Sequence, residues 1–157
     1  MADSTPPPPG VYVPAVLFFD ESEELDIQSI KAHVLRLAQV RFIRTVKWTP
    51  SHTCQGGVTG ILVQGSNGEA QHLSHDERKV TIRLARDTLN ENGFQNVLVI
   101  AGTGGQSTKE TNKLCVDAKE AGASHALVLT PGVWAPQMTK DRILKFHRDV
   151  RLPLRSF

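Results

Sequence analysis

Four short apolar runs, none broken by the polar alternation of a half-exposed strand, constrain this chain most: residues 11–19 (VYVPAVLFF), 61–64 (ILVQ), 97–101 (VLVIA) and 126–130 (ALVLT). A strand that is apolar at successive positions offers apolar side chains to both faces of its sheet, which is the pattern of a parallel sheet covered on both sides. Segments of helical periodicity follow each run. Asp26 is placed to cap a helix with Ile27, Ile30, Val34 and Leu37 on one face. Ser74 and Glu77 form a capping box ahead of a helix with Val80 and Leu84 inward, which Gly93 ends. Ser107 and Glu110 offer a second box before a helix carrying Leu114, Cys115, Ala118 and Ala121, and Gly122 stops it. Thr139 can cap a last helix with Ile143 and Phe146 inward and Lys145 outward. The order is β-α repeated four times. Two α/β architectures accommodate it: a doubly wound open sheet, or consecutive units of a (β/α)8 barrel, whose full length is about 250 residues.

The 157 residues suit one domain, with 39% hydrophobic residues to supply a core. Eighteen basic against sixteen acidic residues leave a net charge of +2, spread along the predicted helices, which argues against nucleic acid and acidic membranes as partners. The opening MADSTPPPPG has neither a basic n-region nor an apolar h-region, and no run approaches the roughly 18 apolar residues of a membrane span. The expectation is a soluble, cytoplasmic protein, with a mitochondrial location left open. Residues 1–10 read as a disordered proline-rich leader. Cys54 and Cys115, with no CxxC and no histidine pattern nearby, read as reduced thiols, and no metal site is expected.

Residues 60–69 (GILVQGSNGE) combine an apolar strand, a small-polar-glycine turn and a helix start, an arrangement that presents N–H groups and a hydroxyl at a strand's C-terminal end. Taken alone, Ser66-Asn67-Gly68 is also ordinary turn chemistry. The loop Gly102-Thr103-Gly104-Gly105 resembles a dinucleotide loop, but Ser107 stands at its third glycine position and no acidic residue ends the strand at Thr130, so no nicotinamide or other cofactor is expected. His125, at the start of the fourth strand, reads as a buried, hydrogen-bonded histidine.

Residues 57–69 (GVTGILVQGSNGE), 73–78 (LSHDER), 99–108 (VIAGTGGQST) and 122–131 (GASHALVLTP) resemble, in order and spacing, the dihydrodipicolinate synthase and N-acetylneuraminate lyase family. The Gly-Ser-Asn-Gly-Glu form of the loop is most similar to the 4-hydroxy-2-oxoglutarate aldolase branch. The resemblance implies the first half of a (β/α)8 TIM barrel, about four βα units, truncated before the strands on which the family carries its proton-relaying tyrosine and Schiff-base lysine. It implies a lyase of pyruvate-like 2-oxo acids. It makes Ser66 the hydroxyl of the proton relay and gives Ser66 and Asn67 the substrate carboxylate, while Glu69 reads as a packing and hydrogen-bond partner within its turn. Lys31, Lys47, Lys79, Lys109, Lys113, Lys119, Lys140 and Lys145 include no strand-end amine suited to Schiff-base chemistry. The chain departs from many relatives where Gly132, Val133 and Trp134 follow Pro131 in place of two tyrosines.

Two segments fit the pattern poorly. Relatives pass directly from a helix end like Leu37-Ala38-Gln39 to a glycine pair like Gly56-Gly57, so residues 40–55 read as an insertion of 16 residues. Its first two residues, Val40 and Arg41, and its last, Gln55, are codable as a splice donor and acceptor, and Val150-Arg151 begins a departing tail. The expectation is one intron translated in frame and another ending the chain, giving a partial barrel over 11–149 and a foreign tail over 150–157; the alternative is a genuine surface loop and a genuine short isoform. A half-barrel of this kind exposes two strand edges and an apolar face, so a homo-oligomer or aggregate is expected, or pairing with a full-length subunit.

Overall fold

A computed structural model describes residues 5–40 and 57–151. The elements run β1 (Tyr12–Pro14), α1 (Ile27–Gln39), β2 (Gly60–Val63), α2 (His75–Glu91), β3 (Leu98–Gly102), α3 (Thr108–Glu120), β4 (His125–Leu127) and α4 (Lys140–Arg151). The four strands are parallel and lie in the order β1-β2-β3-β4. A doubly wound sheet reverses its strand order at a switch point, and none occurs here. The helices contact one another in the same succession, α1 on α2, α2 on α3 and α3 on α4. Sequential strands under a single layer of sequential helices form a singly wound barrel segment.

Burial alternates along the strands accordingly. Ile61, Val63, Val99 and Ala101 are at most 3% exposed and pack with Ile30, Val34, Ala38, Ile82, Ala85 and Leu89 of the helices. Each valine, leucine or isoleucine among them contributes roughly 1.5–3 kcal/mol by leaving water. Leu62, Ile100 and His125, on the other face, are half-buried, and Leu127 is exposed. The strands are apolar on both faces, as the sequence indicates, but among the described residues only one face carries a layer. A smaller cluster of Cys115, Phe146 and Val150 seats α4 on α3.

Local signals place the helices well. Asp26 Oδ1 accepts from the Ser29 amide, and the hydroxyl and amide of Ser29 together hold the Asp26 carboxyl below its usual range. The Ser74/Glu77 capping box is complete, and Gly93 and Gly122 follow their helices at φ of 81° and 99°.

Four details differ from the sequence reading. The first and fourth strands shorten to three residues each, because hydrogen-bonded pairing is confined to Tyr12–Pro14 and His125–Leu127. Val80 is 45% exposed; Thr81, Ile82, Ala85 and Leu89 form the buried face of α2. The second capping box is half formed, since Ser107 accepts from the Glu110 amide but the Glu110 carboxylate reaches across to His75 Nε2 at 2.6 Å. His125 is only half-buried, and its Nε2 lies 3.2 Å from the Thr5 carbonyl oxygen. Residues 5–10 are exposed and form neither helix nor strand, although the Tyr12 hydroxyl also donates to the Pro8 carbonyl at 2.5 Å. Of the suspected insertion, residues 41–55 lie outside the described residues, as does the tail beyond Arg151.

Candidate functional site

A groove of about 170 Å³ opens at the C-terminal ends of β2, β3 and β4. Ser66 lines it from the β2 side, Gly102 and Gly104 from the β3 end, and Leu127 and Leu129 from the far side. This is the end of a barrel sheet at which substrates bind.

The β2 wall is built by a tight turn. Ser66–Gly68 form one turn of 3-10 helix, closed by Gly68 N–H to the Gly65 carbonyl at 3.0 Å and Glu69 N–H to the Ser66 carbonyl at 3.2 Å. The amides of Ser66 and Asn67 take no part in those closing bonds. Gly68 faces the C-terminal end of β1, where an added Cβ would lie 3.2 Å from the Ala15 carbonyl. Glu69 is left-handed at φ 50° and turns the chain into the segment Ala70–His72, whose Gln71 and His72 rim the groove. Arg78 fixes that rim: it is 8% exposed and its Nη2 donates to the Ala70 carbonyl. Burial pushes the Arg78 pKa down, and the Glu110 carboxylate opposes the shift.

The β3 wall uses glycine for close approach. A Cβ on Gly104 would meet Leu129 Cβ at 3.0 Å, and one on Gly102 would collide with the Gln64 carbonyl. The loop's amides are partly engaged within the fold, Thr103 N–H with the Leu127 carbonyl at 3.0 Å and Gly105 N–H with Thr111 Oγ1 at 3.2 Å. That engagement weakens the phosphate-cradle reading of the loop. The Cys115 thiol donates to Thr103 Oγ1 at 3.2 Å; burial raises its pKa, and this hydrogen bond opposes the rise.

Ser66 is exposed in the groove, whereas Asn67 is exposed but does not line it. Glu69 lines it as well. Sequence reasoning overlooked Gln64, which is 2% exposed and lines the groove from the strand end. The available signal was a polar residue directly after the apolar run of β2. Seven lysines fall on helices: Lys31 on α1, Lys79 on α2, Lys109, Lys113 and Lys119 on α3, and Lys140 and Lys145 on α4. Three of them sit in ion pairs, Lys79 with Asp76, Lys113 with the buried Asp117 and Lys145 with Asp149. The Asp76 pairing raises the Lys79 pKa, the reverse of what an amine nucleophile needs. Lys47 lies outside the described residues.

Comparison with known proteins places this geometry. The profile of the dihydrodipicolinate synthetase family matches residues 36–147. The chain is 39% identical over 142 residues to the Emericella nidulans protein named "Probable 4-hydroxy-2-oxoglutarate aldolase, mitochondrial", covering 90% of itself and 41% of that protein. It is 41% identical over 141 residues to the L-threo-3-deoxy-hexylosonate aldolase of Aspergillus niger, covering 89% and 37%. The crystal structure of a dihydrodipicolinate synthase family protein from Coccidioides immitis superposes with a TM-score of 0.73 at 32% identity, over 92% of this chain and 40% of that one. The chain thus spans about 40% of the length of these relatives, and its four βα units correspond to half of an eight-stranded barrel. With the strand order, the groove and the motifs in agreement, the chain belongs to the dihydrodipicolinate synthetase family.

Proposed function

We propose that the chain carries the carboxylate-holding and proton-relay part of a Schiff-base lyase site for pyruvate-like 2-oxo acids, of the 4-hydroxy-2-oxoglutarate aldolase or dihydrodipicolinate synthase kind. The observation that carries the reading is the place of Ser66: its turn stands in the groove at the strand C-termini, with two amides outside the turn's own hydrogen bonds. On this reading a carboxylate accepts from the Ser66 hydroxyl and amide and from the backbone N–H of Asn67, the one part of Asn67 the role needs. The Ser66 Oγ then passes a proton between substrate and a second relay group. Among the described residues no lysine stands at a strand end to form the Schiff base, and on this reading the chain binds substrate without turning it over. Hydrogen exchange of residues 64–72 with and without pyruvate tests this: protection that Ser66→Ala abolishes supports it, and unchanged exchange in the parent chain refutes it. In a protein carrying both barrel halves, Ser66→Ala lowers kcat more than it raises KM, since a relay hydroxyl acts mainly in the transition state.

A second reading has its own observation. Leu129, Val133 and Trp134, at and beyond the β4 edge, are 50%, 67% and 70% exposed. Such a patch beside an unpaired strand favours a non-catalytic half-barrel that self-associates or docks on a full-length subunit. For residues 40–55 we retain the translated intron, which sequencing of the spliced transcript decides. For location we keep the cytoplasm and the mitochondrion as the two readings, the second favoured by the name of the Emericella relative; microscopy of a tagged chain separates them.

A further inference from the structure

On β2, Ile61 and Val63 face the helices and Leu62 the concave side, so an extended residue 64 would send its side chain to the concave side with Leu62. Gln64 does the opposite. Its φ of 63° lies in the left-handed region, and its side chain is buried against α2, where the amide nitrogen donates to both the Arg78 carbonyl and Thr81 Oγ1. A non-glycine residue stays in that region only where its surroundings over-determine it. They do so here. Thr81 is fully buried and its hydroxyl donates to the Arg78 carbonyl at 3.1 Å, so both acceptors are fixed relative to each other. Gly102 lacks the Cβ that would strike the Gln64 carbonyl from β3.

The reversal takes a long polar side chain out of the groove and bends the strand end so that Gly65 and Ser66 form its wall. We infer that Gln64 is a positioning residue: by anchoring the end of β2 to Arg78 and Thr81 of α2 it sets where Ser66 stands in the groove. The inference rests on the reading of that groove as a 2-oxo-acid site for its purpose, but the anchoring can be measured without ligand. Helix α2 thereby acts on the groove twice, through Gln64 at the strand end and through Arg78 at the Ala70 rim.

Hydrogen-exchange mass spectrometry on the 157-residue chain, with and without pyruvate, tests the anchoring. Gln64→Leu removes both donors. Gln64→Gly suits the left-handed backbone but lacks the anchor, and Thr81→Val removes one acceptor from a residue that does not line the groove. The expected result is exchange at residues 65–70 about tenfold faster in both Gln64 variants and less so in Thr81→Val, with α1 and α3 unchanged and pyruvate protection reduced in proportion. Should Gln64→Leu fail to fold, Thr81→Val and Gln64→Gly carry the same prediction. Unchanged exchange at 65–70 in the folded variants overturns the inference, as does acceleration spread evenly over β2 and α2. If the parent chain gains no protection from pyruvate, the 2-oxo-acid reading fails while the ligand-free comparison still decides the role of Gln64.

Discussion

Gly102 lies so close to Gln64 that a Cβ built on it would stand 1.9 Å from the Gln64 carbonyl oxygen, with the Gly65 nitrogen 3.2 Å away. The ends of β2 and β3 therefore meet backbone to backbone beneath the groove, and no side chain can yield. Gly102→Ala is expected to destabilise the chain by about 2–3 kcal/mol through forced strand displacement. Gly132→Ala, whose Cβ would meet nothing within 4 Å, is its control and should shift stability by less than about 0.5 kcal/mol. Urea unfolding of the two variants checks the contrast.

The capping box of α2 gives a pH-dependent prediction. The Ser74 hydroxyl and amide hold the Glu77 carboxyl below its usual range. A carboxylate whose pKa is lower in the folded state contributes stability that is full above its unfolded value and is lost as pH falls through the folded one. Ser74→Ala should cost about 1 kcal/mol at neutral pH, and progressively less as pH falls through the lowered folded value of Glu77, below which it is protonated in both states. Thermal melts between pH 3 and pH 7, as nominal buffer settings, follow the difference.

Cys115 supplies a probe of opening. Its side chain is fully buried and bonded to Thr103, and burial raises its pKa, so it is neither accessible nor thiolate in the folded chain. In a Cys54→Ser background, alkylation of Cys115 should run only through transient opening and accelerate with urea in step with unfolding. Rapid alkylation without denaturant would show that the α3–α4 cluster is not closed.

Self-association follows from the open face. With Leu127 exposed on β4 and Val133 and Trp134 just beyond it, the 157-residue chain should elute as a dimer or soluble aggregate in light scattering coupled to chromatography. A monomer that unfolds cooperatively would contradict this.

The helices were legible in the sequence because their signals are local: Asp26, Ser74 and Gly122 act within a few residues of where they stand. The barrel reading came from the resemblance of the motifs, in their order, to a known family; continuous apolar runs could not supply it, since those suit an open sheet equally. What stayed illegible was set by tertiary contacts. Val80 sits at a plausible helical spacing but faces outward because Thr81 and Ile82, the next two residues, take the inner positions, Thr81 meeting Gln64 with its hydroxyl and Ile82 packing in the core. Glu110 leaves its capping box because His75, 35 residues away in sequence, is near in space. Ser66 was singled out from its motif; the polarity of Gln64 after the apolar run was a signal left unused, while its left-handed backbone is marked by nothing in a single sequence.

Among the described residues the groove of Ser66 holds no lysine. Incubation of the chain with pyruvate and sodium borohydride, followed by peptide mass spectrometry, tests it most directly, because reduction fixes any Schiff base to the lysine that formed it. No reduced pyruvate adduct is expected on any of the eight lysines above the level seen in urea-unfolded chain. A stoichiometric adduct mapped to one lysine in the folded chain, and absent from the unfolded one, would contradict it.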